Sequence, residues 1–126
     1  MKNKEFTTVL TSEDLIDVKL TWEDNELQKF AINYRAYIEE KWYEVYRVDN
    51  YHDFLHEQKF WRSPAPIIIK DKECWSLKMV FEHYLEEVYC NFQDYRSYFE
   101  DALDKNIIER ADENERKDKN RNERES

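Results

Sequence analysis

Two histidines four residues apart, His52 and His56, stand in the stretch DNYHDFLHEQKF, with Asp49, Asp53 and Glu57 around them. Histidine titrates near neutrality, so it can pass protons or bind a metal. At i, i+4 the pair would share one face of a helix, the geometry with which zinc hydrolases hold their metal while a Glu between the two acts as base. Here that second position is Asp53, one methylene shorter, and no third ligand stands at a family spacing. The stretch is also squeezed between two strand-like runs. No metal or other cofactor is expected.

A metal-free chemistry uses Arg47, Asp49, His52 and His56, all within one connection. One histidine could take a 2′-hydroxyl proton, the other could support the leaving group, and Arg47 could hold a phosphate. That is the inventory of a metal-independent ribonuclease. The acidic neighbours Asp49, Asp53 and Glu57 oppose the approach of phosphates. The alternative is a polar crossing in which Asp49 and Asn50 make the turn, Tyr51, Phe54 and Leu55 plug the sheet end, and both histidines are solvated.

The elements that would position these residues follow from periodicity. LIDVKLTWE (residues 15–23), KFAINYRAYI (29–38) and WYEVYRV (42–48) alternate with period two, each a strand with one wet face. Short connections between them favour an antiparallel meander. FTTVL (6–10) is a further short strand candidate, and the run after Pro64 and Pro66 reads as an edge. From residue 76 to 104 the period changes to that of one amphipathic helix, with Ser76 as its N-cap. The expected fold is α+β: a meander of four or five strands followed by one long C-terminal helix packed across the sheet.

Such a helix is about 40 Å long, whereas eight-residue strands reach only about 26 Å. Its far aromatic end, Tyr95, Tyr98, Phe99 and Leu103, is therefore expected to outrun the sheet and to serve as an interface with a second copy or a protein partner. The N-terminal segment folding over it is the competing possibility. His83, Glu87, Cys90 and Asp94 line one flank of the same helix, where polar residues accumulate by default.

Composition sets the limits. The 126 residues make one domain, expected over 1–108, with a charged, disordered or frayed-helical tail over 109–126. A net charge of −9 argues against non-specific nucleic-acid binding, while a local basic patch or a basic protein partner stays compatible. Glycine is absent, which excludes phosphate loops and dinucleotide fingerprints and sends the tight turns to Asn, Asp or Lys. Two cysteines provide no disulfide framework, and no apolar run is long enough for a signal or a membrane span. A cytoplasmic protein with no membrane association is the expectation.

Residues 30–56, FAINYRAYIEEKWYEVYRVDNYHDFLH, contain the pattern W-x-x-V-x-R-x-D-N-x-H in Trp42, Val45, Arg47, Asp49, Asn50 and His52, followed by His56. This resembles the TumE-like toxin family and related small bacterial and archaeal domains. The resemblance implies an antiparallel sheet followed by a long C-terminal helix, and a toxin–antitoxin setting with an antitoxin as partner. Where those relatives place a glycine near the first histidine, this chain has Asp53.

Overall fold

The computed structural model describes residues 1–62 and 65–111. Six strands form one antiparallel sheet in sequence order: β1 (Lys2–Thr11), β2 (Asp14–Glu23), β3 (Glu26–Ile38), β4 (Lys41–Asp49), β5 (His56–Lys59) and β6 (Ile67–Ile68). One helix follows, α1 (Leu77–Asp104). The architecture is the expected α+β meander and helix. The sixth strand is the two-residue β6, too short to leave a period in the sequence.

Register converts the alternation into two faces. Ile16, Val18 and Leu20 of β2 oppose Tyr34, Ile32 and Phe30 of β3, and Ile32 and Tyr34 in turn oppose Val48 and Tyr46 of β4. All of these side chains are buried beneath α1. The opposite face carries Asp17, Lys19, Asn33, Arg35, Arg47 and Asp49. A bulge between Tyr34 and Arg35 lets Val45 slip into the core while Tyr43 still faces the helix.

The helix runs along β3, so its rings meet the sheet in order. Phe81 meets Phe30 edge-on at 5.7 Å, Phe92 meets Tyr34 at 6.0 Å, and Phe99 meets Tyr43 at 5.3 Å. Such pairs contribute beyond the area they bury. Ser76 caps the first turn by accepting from the Met79 N–H at 3.2 Å. At the other end Asn106, with φ 57°, takes the left-handed position that glycine usually fills, and the Ile107 N–H returns to the Ala102 carbonyl.

The far end of α1 is not short of cover. β3 is 13 residues long, about 43 Å of strand, and matches the helix it supports. Phe99 and Leu103 are only 4% and 1% exposed. Tyr95 lies between Tyr46 at 5.0 Å and Trp61 at 5.3 Å, and only Tyr98 remains half exposed, against Trp61. Of the expected interface residues, Phe99 and Leu103 are therefore core, Tyr95 is partly covered and Tyr98 stays half exposed. The cover comes from β3, β4 and Trp61 rather than from the N-terminal segment.

A polar latch ties α1 to the sheet. Arg96 donates to Asp14 Oδ1, to the carbonyls of Glu13 and Tyr37, and to Glu100. Asp14 is buried and also accepts from Tyr34 Oη and Thr11 Oγ1. Beyond the helix, Arg110 reaches Glu39 and the Leu103 carbonyl, and the Ala111 N–H donates to Tyr43 Oη. The folded part thus runs past the expected boundary at residue 108. Residues 112–126 of the tail lie outside the described residues.

The tight turns solve the lack of glycine with Asp24–Asn25 and, unexpectedly, Glu39–Glu40, each pair having positive φ at both positions. Glutamate in that region bears the full Cβ penalty. Glu40→Gly should therefore stabilise the fold by about 1 kcal/mol, seen as a higher urea midpoint with an unchanged slope.

Two further outcomes follow from the core. Arg96→Ala, which leaves Asp14 buried without its cation, should lower the unfolding free energy by about 2–4 kcal/mol, whereas Tyr34→Phe should cost about 1 kcal/mol. Burial foremost, with the Glu57 charge adding to it, pushes the Tyr84 and Tyr95 hydroxyls from 10.0 up to about 12. Because the folded values lie above the unfolded ones, this stability is intact below pH 10 and is lost as pH rises towards 12. Urea melts with tyrosinate absorbance as a second probe should show that loss, and Tyr95→Phe should shrink it.

Candidate functional site

Asp49 is the centre of the polar cluster. It ends β4 on the face away from α1, opposite Ala31 of β3 and His56 of β5. Its side chain is 2% exposed and lies against Arg47, His56 and the Tyr51 N–H. Arg47 Nε donates to Oδ2 at 2.8 Å, and the Tyr51 N–H to Oδ1 at 3.0 Å. His56 Nε2 lies 3.2 Å from the same Oδ1. A buried carboxylate needs this much compensation, because an unpaired one would be strongly penalised.

The sequence-derived quartet is thus brought together. Arg47, Asp49 and His56 are in direct contact, and the His52 ring stacks near that of His56 at 6.0 Å and 22°. The helical arrangement of the two histidines is not what holds them. Residues 51–54 form turns and bends, and His56 opens β5. Asp53 adopts φ 67° in that connection, the conformation a glycine would take most readily.

The two histidines differ in what they can do. His56 Nδ1 is 2.9 Å from the Phe54 carbonyl, which can only accept, so that nitrogen carries a proton. Its Nε2 faces the Asp49 carboxylate. Both nitrogens are engaged, which makes His56 a clip between β4 and β5 rather than a free base. The expectation that both histidines are solvated fails for His56. His52 is exposed.

Asn50 was not singled out by its chemistry, yet it has a defined task. Its Oδ1 accepts from the Phe30 N–H at 2.8 Å and its Nδ2 donates to the Gln28 carbonyl at 3.1 Å. The side chain continues the ladder of β3 after β4 has ended. In W-x-x-V-x-R-x-D-N-x-H, therefore, Arg47, Asp49 and Asn50 all have structural partners. Tyr51 has the ammonium groups of Lys19 and Lys29 near its ring, at 5.9 and 5.7 Å.

Beside the cluster a groove of about 540 Å³ opens over Ala31, whose short side chain sits among long neighbours. Glu5, Thr7, Asp17, Lys19, Asn33 and Arg47 line it. Asn33 Nδ2 donates to Glu44, and its buried Oδ1 has no partner among the described residues. The charges are mostly spoken for: Asp17 by Arg35, Glu5 by Lys19, and Asp49 by Arg47.

Elsewhere the chemistry is thinner. Among the described residues no group of three or more His, Cys, Asp or Glu side chains is placed to hold a metal. His83 lies between Trp75 and Tyr84 and 3.8 Å from Glu87. Both cysteines are free and exposed. No described helix is long and apolar enough to cross a membrane.

A second surface, invisible to periodicity, lies where β6 meets the start of α1. Phe54, Ile68 and Trp75 are each more than a third exposed there. A cleft of about 460 Å³ there is lined by Phe54, Leu55, Ile68, Ile69, Trp75 and Leu77, among others.

These features define a small α+β domain: a six-stranded meander with a helix on one face and a buried-aspartate cluster on the other. The chain belongs to the family described as a domain of unknown function, DUF7718, whose model matches residues 1–105 and so takes in every strand, α1 and the cluster. No curated protein and no solved structure matches it.

Asp49→Ala strips His56, Arg47 and the Tyr51 N–H of their acceptor, and should cost about 3 kcal/mol in urea unfolding. His52→Ala should change stability by less than about 0.5 kcal/mol. Equal effects of the two would contradict a cluster organised on Asp49.

Proposed function

We propose that the chain is a protein-binding module, the toxin-like member of a two-protein pair, working in the cytoplasm through the apolar cleft between β6 and α1. The observation that carries this reading is that three exposed large apolar side chains, Phe54, Ile68 and Trp75, line one cleft. A soluble chain rarely leaves so many large apolar side chains together without a partner to cover them. Aromatic and branched anchors around a cleft are what a partner's apolar helix or strand inserts into. The net charge of −9 favours a partner of opposite charge, and disfavours unspecific contact with nucleic acid.

A second reading has its own support. Arg47, Asp49, His52 and His56 converge on one face, as a metal-independent ribonuclease would require. His52 would then move the proton, and Arg47 would hold the phosphodiester, its guanidinium fixed by Asp49.

One experiment separates them. The chain is expressed in a growing host, with and without the product of the adjacent gene. Under the binding reading, Phe54→Asp with Ile68→Asp reduces affinity for that product at least tenfold, while His52→Ala with His56→Ala leaves growth inhibition and binding unchanged. Loss of inhibition and of RNA cleavage in the histidine pair, at unaltered binding, would instead establish the nuclease.

A further inference from the structure

We infer that His56 is a proton-operated catch on the connection between β4 and β5. As a cation it holds Asp49 and the Phe54 carbonyl together; on losing a proton it keeps Asp49 and lets the carbonyl go. Both ring nitrogens face oxygens: Nδ1 lies 2.9 Å from the Phe54 carbonyl and Nε2 lies 3.2 Å from Asp49 Oδ1. A carbonyl and a carboxylate only accept, so meeting both at once takes two N–H donors, which an imidazole has only as the cation. The neutral ring has one, and its other nitrogen then turns a lone pair on an acceptor.

The contact that survives follows from the two acceptors. Asp49 is charged and 2% exposed, so its hydrogen bond is the stronger and the more costly to leave unmade. Phe54 is 62% exposed, and water can replace the ring at its carbonyl. As pH rises, the 15% exposed ring gives its Nδ1 proton to solvent and keeps the one on Nε2. The catch is therefore closed on the acid side of the imidazole titration and opens as pH passes through it.

The piece set free has fixed ends. The Tyr51 N–H is held by Asp49 Oδ1 at 3.0 Å, and the Leu55 carbonyl accepts from the Ile69 N–H at 2.8 Å. Only His52, Asp53 and Phe54 lie between them. The charged groups against the His56 ring come from two elements. β4 brings Asp49 and, on its other oxygen, Arg47; the connection brings His52, its ring 6.0 Å away, and contains Asp53. β6 places the uncharged Ile68 opposite His56, and Glu57 donates nothing here because it accepts from Tyr46 Oη on the helix side. His52 opposes the catch, since two imidazolium rings repel; Asp49 closes it.

The test is NMR on the full chain without any partner, from about pH 5 upward until the ring nitrogen shifts show His56 neutral. On the acid side both nitrogens should carry protons. On the basic side the proton should be on Nε2, and backbone order parameters of residues 52–54 should fall from about 0.85 towards 0.6 along the same titration, while those of Tyr51 and Leu55 hold. His56→Gln, which does not titrate, should leave the connection equally mobile at every pH. His52→Ala should keep the pH response. A ring never doubly protonated in the folded protein, a neutral ring with its proton on Nδ1, or a connection equally ordered on both sides of the titration would each overturn the inference. So would a pH response that survives His56→Gln or vanishes in His52→Ala.

Discussion

The side chain of Arg96 determines how this fold closes. A helix lying along a strand through aromatic contacts alone could slide by a turn, because ring pairs tolerate many offsets. Arg96 removes that freedom by reaching two carbonyls and three carboxylates at once, at the β1–β2 turn, at the end of β3 and on its own helix. Asp14 could not be buried without it, and Tyr34 would lose the partner of its hydroxyl. The latch therefore fixes the depth of α1 and the packing of the central strands together. With α1 settled on one face, the other is left to polar side chains.

That second face is organised by register more than by local sequence. Asp49 can be buried because Ala31 opposite it is small and because Arg47 and His56 approach from either side. The same smallness of Ala31 opens the groove. One substitution of scale thus produces both the hiding place for a carboxylate and the hollow beside it.

Much of the architecture was legible. Strict alternation in residues 15–23 and the helical period after Ser76 are signals of buried faces, and both elements appear where the periods place them. β3 was read too short because Glu26, Leu27 and Gln28 resemble a turn, although Leu27 is buried. The added residues lie beyond Phe30, at the Phe81 end of α1; at the far end Phe99 is covered by Tyr43 of β4, which the sequence did not place there. The pairing of Arg47 with Asp49 could be anticipated from their i, i+2 spacing on one strand face. The locking of His56 could not, since it depends on which residue of β5 stands opposite Asp49. Nor could the apolar cleft, whose members come from a loop, a two-residue strand and the first turn of a helix.

The two margins of the sheet are unequal: ten residues at β1, two at β6. Unlimited fibre growth by strand addition needs a competent template at both ends of every unit. Among the described residues only the β1 margin is long enough to extend the hydrogen-bonded ladder; the two-residue β6 gives strand addition almost nothing to build on.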